Sequence, residues 1–234
     1  MLQPLATIES APTPRLYSIF PLDYVTGGLP LGGSVLIGGA PGAGKSTLLL
    51  QAACAVRFPS QYHTAEENVK RISGRASRLG LRSDNLQINE TKDVDEIIDS
   101  IIRDKPALCV VDSIQTIRTT ELRSQPGSLS QVRAVTEMLV SEAQHAGTAL
   151  VLVCHETKSG GFAGPRTVEH LVDVVLRLEC EPERRLISKK NRDDMTPISL
   201  PVEITSTGVH AVSMRRDCYH SSQEERDIRV WLNL

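Results

Sequence analysis

Residues 39–46, Gly-Ala-Pro-Gly-Ala-Gly-Lys-Ser, combine the groups needed to hold a chain of phosphates. Glycines let successive backbone N–H groups turn inward on one anion. Lys45 adds an ammonium, and the Ser46 hydroxyl is an oxygen donor suited to Mg²⁺. The spacing is G-x-x-x-x-G-K-[ST], that of a phosphate-binding loop. An apolar run, Val35-Leu36-Ile37, leads in, and a leucine-rich segment, Leu48 to Val56, leads out. Strand, loop and helix in that order aim the positive end of a helix at the same anion. The candidate nucleotide contacts are Gly39, Pro41, Gly42, Ala43, Gly44, Lys45, Ser46 and Thr47, with ATP and Mg²⁺ as the implied ligands.

Carboxylates elsewhere extend this chemistry. Leu108 to Val111 is an apolar run that ends in Asp112. In open α/β sheets, ligands gather at the carboxyl ends of strands. Asp112 is therefore the candidate partner of Ser46 at the metal, and a helix cap is the alternative. Glu66 and Glu67 follow a second strand-like stretch. Glu66, nearer the strand end, is the candidate base for an attacking water; a first-turn acid on the next helix is the alternative, and it suits Glu67 well. His155 closes a third apolar run, where it could sense a γ-phosphate or bond a neighbouring strand end. The other five histidines have no metal-ligand spacing with cysteines or carboxylates. Lys189-Lys190-Asn191-Arg192 is a basic cluster following a strand. It reads either as a solvated strand end or as a group inserted into a neighbouring subunit's site to neutralise charge there.

Such side chains need a sheet to carry them. Hydrophobic spacing predicts helices over about 67–79, 94–102 and 129–145, with Gly80 and Gly147 as stops. Strands are predicted over 61–65, 86–89, 107–111 and 148–154, followed by shorter ones over 173–179, 184–188, 200–204 and 210–213. The stretch Gln61-Tyr62-His63-Thr64-Ala65 is unusually polar for a buried parallel strand. Strands alternate with helices up to about residue 155, and strands then follow strands. The expected fold is α/β, a mostly parallel sheet flanked by helices with antiparallel strands at one edge. Residues 1–14 read as a proline-punctuated arm, 15–215 as the nucleotide-binding domain and 216–234 as a tail.

Composition narrows the classes. The chain has 234 residues and a net charge of −2, so nucleic-acid contact needs a local basic patch. Aromatics are 3% of residues, too few for a base-stacking platform. Five cysteines with no C-x-x-C pair suit a reducing cytoplasm. The first residues lack the pattern of a signal peptide, and no run reaches the ~18 apolar residues of a membrane span, so no membrane partner is expected.

Taken together, these stretches resemble the RecA-like ATPases, most closely the ATPase core of the RadA (Sms) branch. The likeness is carried by LGGSVLIGGAPGAGKSTLLLQ, YHTAEENVKRISGRASRLGL, VVDSIQTI, PGSLSQVR, CHETKSGGFAGPRTVEHLVDVVL and KKNR, between about Arg15 and Val212. The resemblance implies a RecA-like P-loop NTPase. In it Glu66 and Lys45 are catalytic, Ser46 and Asp112 bind the metal, and Lys190 and Arg192 act in trans within a homo-oligomeric ring or filament. Residues 128–133 and 158–166 would face single-stranded or branched DNA, with Arg123, Arg133, Lys158 and Arg166 as phosphate contacts. Other recombination proteins are further implied partners. The family's four-cysteine zinc module is not expected, Cys54 being the first cysteine. Its C-terminal protease-like domain is not expected, and its Phe-Gly after Lys-Asn-Arg is replaced by Asp193-Asp194. The implied function is a DNA-dependent ATPase in repair and recombination. An ATP-binding accessory module with little hydrolysis is the alternative, and a small-molecule kinase, for which no lid or acceptor pocket is evident, stands third.

Overall fold

The computed structural model describes residues 13–155, 166–192 and 198–212. Most of the expected arm, all of the expected tail and the glycine-rich 156–165 lie outside the described residues. Two short strands, β1 (Arg15–Leu16) and β2 (Leu29–Pro30), pair around α1 (Phe20–Thr26). The core sheet begins with β3 (Ser34–Gly39), and α2 (Lys45–Ala55) follows the glycine loop. The chain continues through β4 (Ser60–Thr64), α3 (Val69–Arg78), β5 (Leu86–Glu90), α4 (Val94–Asp104), β6 (Leu108–Asp112), α5 (Leu129–Ala146) and β7 (Ala149–His155). The short α6 (Arg166–Glu169) precedes β8 (Val174–Glu179), β9 (Arg185–Asn191), β10 (Ser199–Thr205) and β11 (Gly208–Ala211).

The sheet has nine strands in the order β11-β10-β9-β8-β3-β7-β6-β4-β5. The six strands from β8 to β5 are parallel, and β9, β10 and β11 extend the β8 edge antiparallel. This is the predicted mixed sheet. The central parallel strands β3, β6 and β7 are buried on both faces and are accordingly mostly apolar. Val35, Ile37, Val110 and Val151 pack with the leucines of α2 on one face. Leu36, Val111, Leu150 and Leu152 pack with Ile97 and Ile101 of α4 and with Val132, Val135 and Leu139 of α5 on the other.

Several boundaries differ from the expected ones. Helix α3 starts at Val69 because the Asn68 side chain accepts from the Arg71 N–H and caps it. Glu67 is thus outside the helix and pairs with Arg75 at 2.6 Å. Strand β9 runs to Asn191, so Lys189 to Asn191 form its end and do not follow it. A tight hairpin pairs Thr205 with Gly208 and starts β11 two residues early. The polar β4 is buried at all five positions. Gln61 and His63 meet polar groups on α4: Ser100 Oγ donates to Gln61 Oε1 at 3.1 Å, and Gln61 Nε2 donates to Asp104 at 2.9 Å. Polar groups of α4 thus meet most of its polar side chains, His63 Nδ1 excepted, which is how the strand tolerates burial. No helix among the described residues is long and apolar enough to cross a membrane.

Candidate nucleotide site

Strand β3 ends at Gly39, and the chain turns through Ala40 to Gly44 into α2. Close packing demands glycine at both ends of the turn. A Cβ on Gly39 would lie 2.5 Å from the Leu178 carbonyl oxygen of β8. One on Gly44, whose φ is 111°, would lie 2.8 Å from Ile204 Cδ1. Gly44 is the Ncap of α2 and has no side chain to bond the first-turn N–H groups. Those donors therefore face the loop, as an anion site requires. Lys45 is buried and folds over the loop, donating to the Gly39 and Ala40 carbonyls at 2.7 and 3.0 Å. Arg184, on the β8–β9 turn, donates to the Ala43 carbonyl at 3.1 Å and braces the loop from outside.

The carboxyl ends of β4, β6 and β7 supply the groups beside this loop. Asp112 ends β6, is 7% exposed, and accepts from the Tyr62 phenol at 2.6 Å. The phenol also interacts with the Ser46 hydroxyl. Just past β4, Glu66 accepts from the Ser113 hydroxyl at 2.5 Å and meets His155 Nε2 at 3.0 Å. The His155 bond, outweighing partial burial and aided by Ser113 and the Lys45 charge, holds the Glu66 carboxyl below its ordinary range. Glu66 is therefore a carboxylate at neutral pH, close enough to Lys45 to feel its field. Thr64, Ala65, Glu66, Glu67, Glu90, Thr91 and Lys92 line an open hollow of about 300 Å³ beside it. For Mg²⁺ the donor chemistry fits: a hydroxyl and a buried carboxylate, both hard oxygen ligands, stand next to the phosphate loop.

Residues 18–161 match the model of the AAA domain family. The chain belongs to that family. Its relatives include DNA repair protein RadA of Pseudomonas aeruginosa, 46% identical over 189 residues, a match spanning 79% of this chain and 42% of that protein. RadA of Halalkalibacterium halodurans is 39% identical over 219 residues, 90% of this chain and 48% of that one. The chain thus spans less than half the length of the curated relatives it matches. Among solved structures, a KaiC-like protein from Pyrococcus horikoshii superimposes with a TM-score of 0.68 at 22% identity, covering 86% of this chain and 100% of that one. The fold is accordingly that of a RecA-like P-loop domain, with RadA as its sequence kin.

The remaining candidate residues of this AAA domain are spread more widely. Lys190 donates to the Glu169 and Val172 carbonyls at 2.8 and 2.6 Å. Burial, then the charge of Arg192, lowers its affinity for a proton. Arg192 pairs with Asp173 at 3.1 Å, and Asp173 in turn accepts from the Ser34 N–H and hydroxyl. Lys190 and Arg192 therefore sit level with the start of β3. Five residues separate that level from the loop, roughly 16 Å at the rise of a strand. Arg123 is exposed in the loop between β6 and α5. Arg133 is exposed on the first turns of α5 and pairs with Glu137 at 2.8 Å. Lys158 and the Arg166 side chain lie outside the described residues. Tyr62 and Ser113 escaped the sequence reading, and Gln131, expected with residues 128–133 to face DNA, is instead buried with Val132. A tyrosine inside a buried strand calls for a polar partner and was the available signal for the first. Gln131 is 1% exposed and accepts from the Thr119 N–H, while its Nε2, with two hydrogens to share, lies 3.0–3.1 Å from the Thr119, Leu122 and Ser124 carbonyls.

Proposed function

We propose that this domain hydrolyses ATP, that DNA stimulates its turnover, and that it serves DNA repair and recombination in the manner of the RadA proteins it resembles. The observation carrying this reading is the Glu66 carboxylate, held by Ser113 and His155 beside the loop that bears Lys45. In this reading Lys45 exchanges the loop carbonyls for the β- and γ-phosphates, which are stronger acceptors. The first-turn N–H groups of α2 cradle the same phosphates. Mg²⁺, held by Ser46 and Asp112, would supply charge neutralisation on the β- and γ-oxygens. Glu66 orients a water for in-line attack and accepts its proton. His155 and Ser113 fix the Glu66 rotamer, so a change at the phosphates can be passed to the segment that follows His155.

The DNA reading rests on shared placement. The loop carrying Arg123, the start of α5 carrying Arg133, and the segment that leaves β7 after His155 all emerge from the carboxyl edge of the sheet. Arg123, Arg133, Lys158 and Arg166 contact phosphates there, with single-stranded or branched DNA as the partner, the cytoplasm as the setting and other recombination proteins as further partners. Lys190 and Arg192 serve a neighbouring copy's nucleotide in a ring or filament. The test is ATP turnover with and without single-stranded DNA, alongside assembly mass. Turnover that rises with DNA, and a DNA affinity that falls steeply with salt, are expected. Turnover indifferent to DNA would sink the DNA-dependent reading, and turnover too slow to depend on Glu66 would favour the accessory module.

A further inference from the structure

Asp112 offers two oxygens, and the structure treats them differently. Oδ2 accepts from the Tyr62 phenol at 2.6 Å. Oδ1 takes no donor among the described residues. Tyr62 is 1% exposed and belongs to the apolar cluster beneath α2. Its ring fills that cluster, and its hydroxyl emerges between the start of α2 and the end of β6. There it meets the Ser46 hydroxyl as well as Asp112. The phenol thus bonds β4 to β6 directly, with Ser46 of α2 beside it.

We infer that Tyr62 is the positioning residue of the metal site, setting which Asp112 oxygen faces the cation and fixing the separation between Asp112 and Ser46. The inference rests on the reading of Ser46 and Asp112 as Mg²⁺ ligands. A carboxylate with both oxygens free can rotate or chelate; one whose Oδ2 is held presents a single oxygen in a single direction. Donors that orient metal ligands from behind usually matter 10–100-fold, in affinity or activity. A tyrosine kept merely for packing would not need its hydroxyl, and Tyr62→Phe removes that hydroxyl alone.

The experiment measures the affinity of a fluorescent ADP analogue, without metal and across an Mg²⁺ titration, with direct Mn²⁺ binding by electron paramagnetic resonance. In Tyr62→Phe the metal-free nucleotide affinity should stay within about twofold of wild type, while the Mg²⁺ and Mn²⁺ needed for half-effect rise roughly 10–100-fold. Asp112→Asn should weaken metal binding by itself, and adding Tyr62→Phe should then cost less than about twofold more, because the two changes remove one interaction. Equal metal dependence in wild type and Tyr62→Phe overturns the inference but leaves the nucleotide site standing. So does full additivity of the two substitutions, or an equal loss of affinity with and without metal. A wild-type affinity indifferent to Mg²⁺ overturns both the inference and the metal reading beneath it. The Asp112→Asn comparison keeps the inference open to refutation if Tyr62→Phe lowers stability, since its metal dependence is read against a folded single variant.

Discussion

Replacing Glu66 by Gln keeps the shape of the side chain and its capacity to accept from Ser113, but removes the charge and the proton acceptor. If Glu66 is the base, nucleotide affinity should hold within about twofold while single-turnover hydrolysis falls about 10²–10⁴-fold, the usual worth of a positioned base. Hydrolysis within a few-fold of wild type would refute that role. A second residue carries a pH signature of stability and not of catalysis. His63 is buried on β4, with Nε2 toward Gln61 and Ser100 and Nδ1 without a partner. Burial lowers its pKa from 6.5 to about 4. The unfolded chain then binds the proton more tightly than the folded one, so the neutral histidine's stability is whole above pH 6.5 and is lost as pH falls toward 4. The size is about 3 kcal/mol at 1.36 kcal/mol per unit. Asp23 works in the opposite sense, since burial raises its carboxyl to about 6. The wild-type curve is consequently flattened, and the difference between wild type and His63→Asn isolates the histidine. Chemical denaturation at pH 7 and pH 4.5 should show wild type losing ~2–3 kcal/mol more than the variant; parallel curves would contradict the assignment.

At the scale of elements, the loop between β6 and α5 is organised by a helix that comes after it. Gln131, on the first turn of α5, meets four backbone groups of residues 119–124. A Gln131→Ala variant leaves those groups without partners and should lose about 2–4 kcal/mol. The same loop carries Arg123, a trypsin site, so cleavage there should accelerate well before the domain as a whole unfolds; unchanged cleavage would show that other contacts hold the loop. This staple also marks where legibility ends. The strands and helices of the sheet were readable because burial on both faces forces continuous apolar runs, as in Leu108 to Val111, and because Gly147 stops α5 in a left-handed conformation. The phosphate loop was readable because its chemistry is local: eight consecutive residues build it. Tyr62 and Gln131 were not, because their partners lie 50 residues away in one case and on the carbonyls of an irregular loop in the other. Strand β4 misled in the same way. Its polarity is intelligible only once Ser100 and Asp104 of α4 stand opposite it, a pairing that no periodicity announces.

For the whole molecule the decisive feature is that the basic end of β9 and the phosphate loop lie on opposite edges of one sheet. Asp173 ties Arg192 to Ser34 at the start of β3, and the glycine loop begins where β3 ends. A rigid sheet cannot fold that distance away, so any action of Lys190 or Arg192 on a nucleotide must be on one bound by another copy. Such head-to-tail contact is heterologous and generates rings or filaments. Both cations already have partners in the chain: backbone carbonyls for Lys190, and Asp173 with the His170 carbonyl for Arg192. Reaching a neighbour's phosphate therefore means giving up these bonds for a stronger acceptor. Mixing two defective chains tests this directly. Glu66→Gln spoils a chain's own site, and Lys190→Ala together with Arg192→Ala spoils the site of its neighbour. Each preparation alone should be nearly inactive. A one-to-one mixture should recover about a quarter of wild-type turnover, because random assembly with heterologous contacts pairs an intact Glu66 with an intact Lys190 and Arg192 at that frequency. Turnover no greater than the sum of the separate preparations, in assemblies shown by mass to have mixed, would confine Lys190 and Arg192 to their observed part in bracing the start of β8.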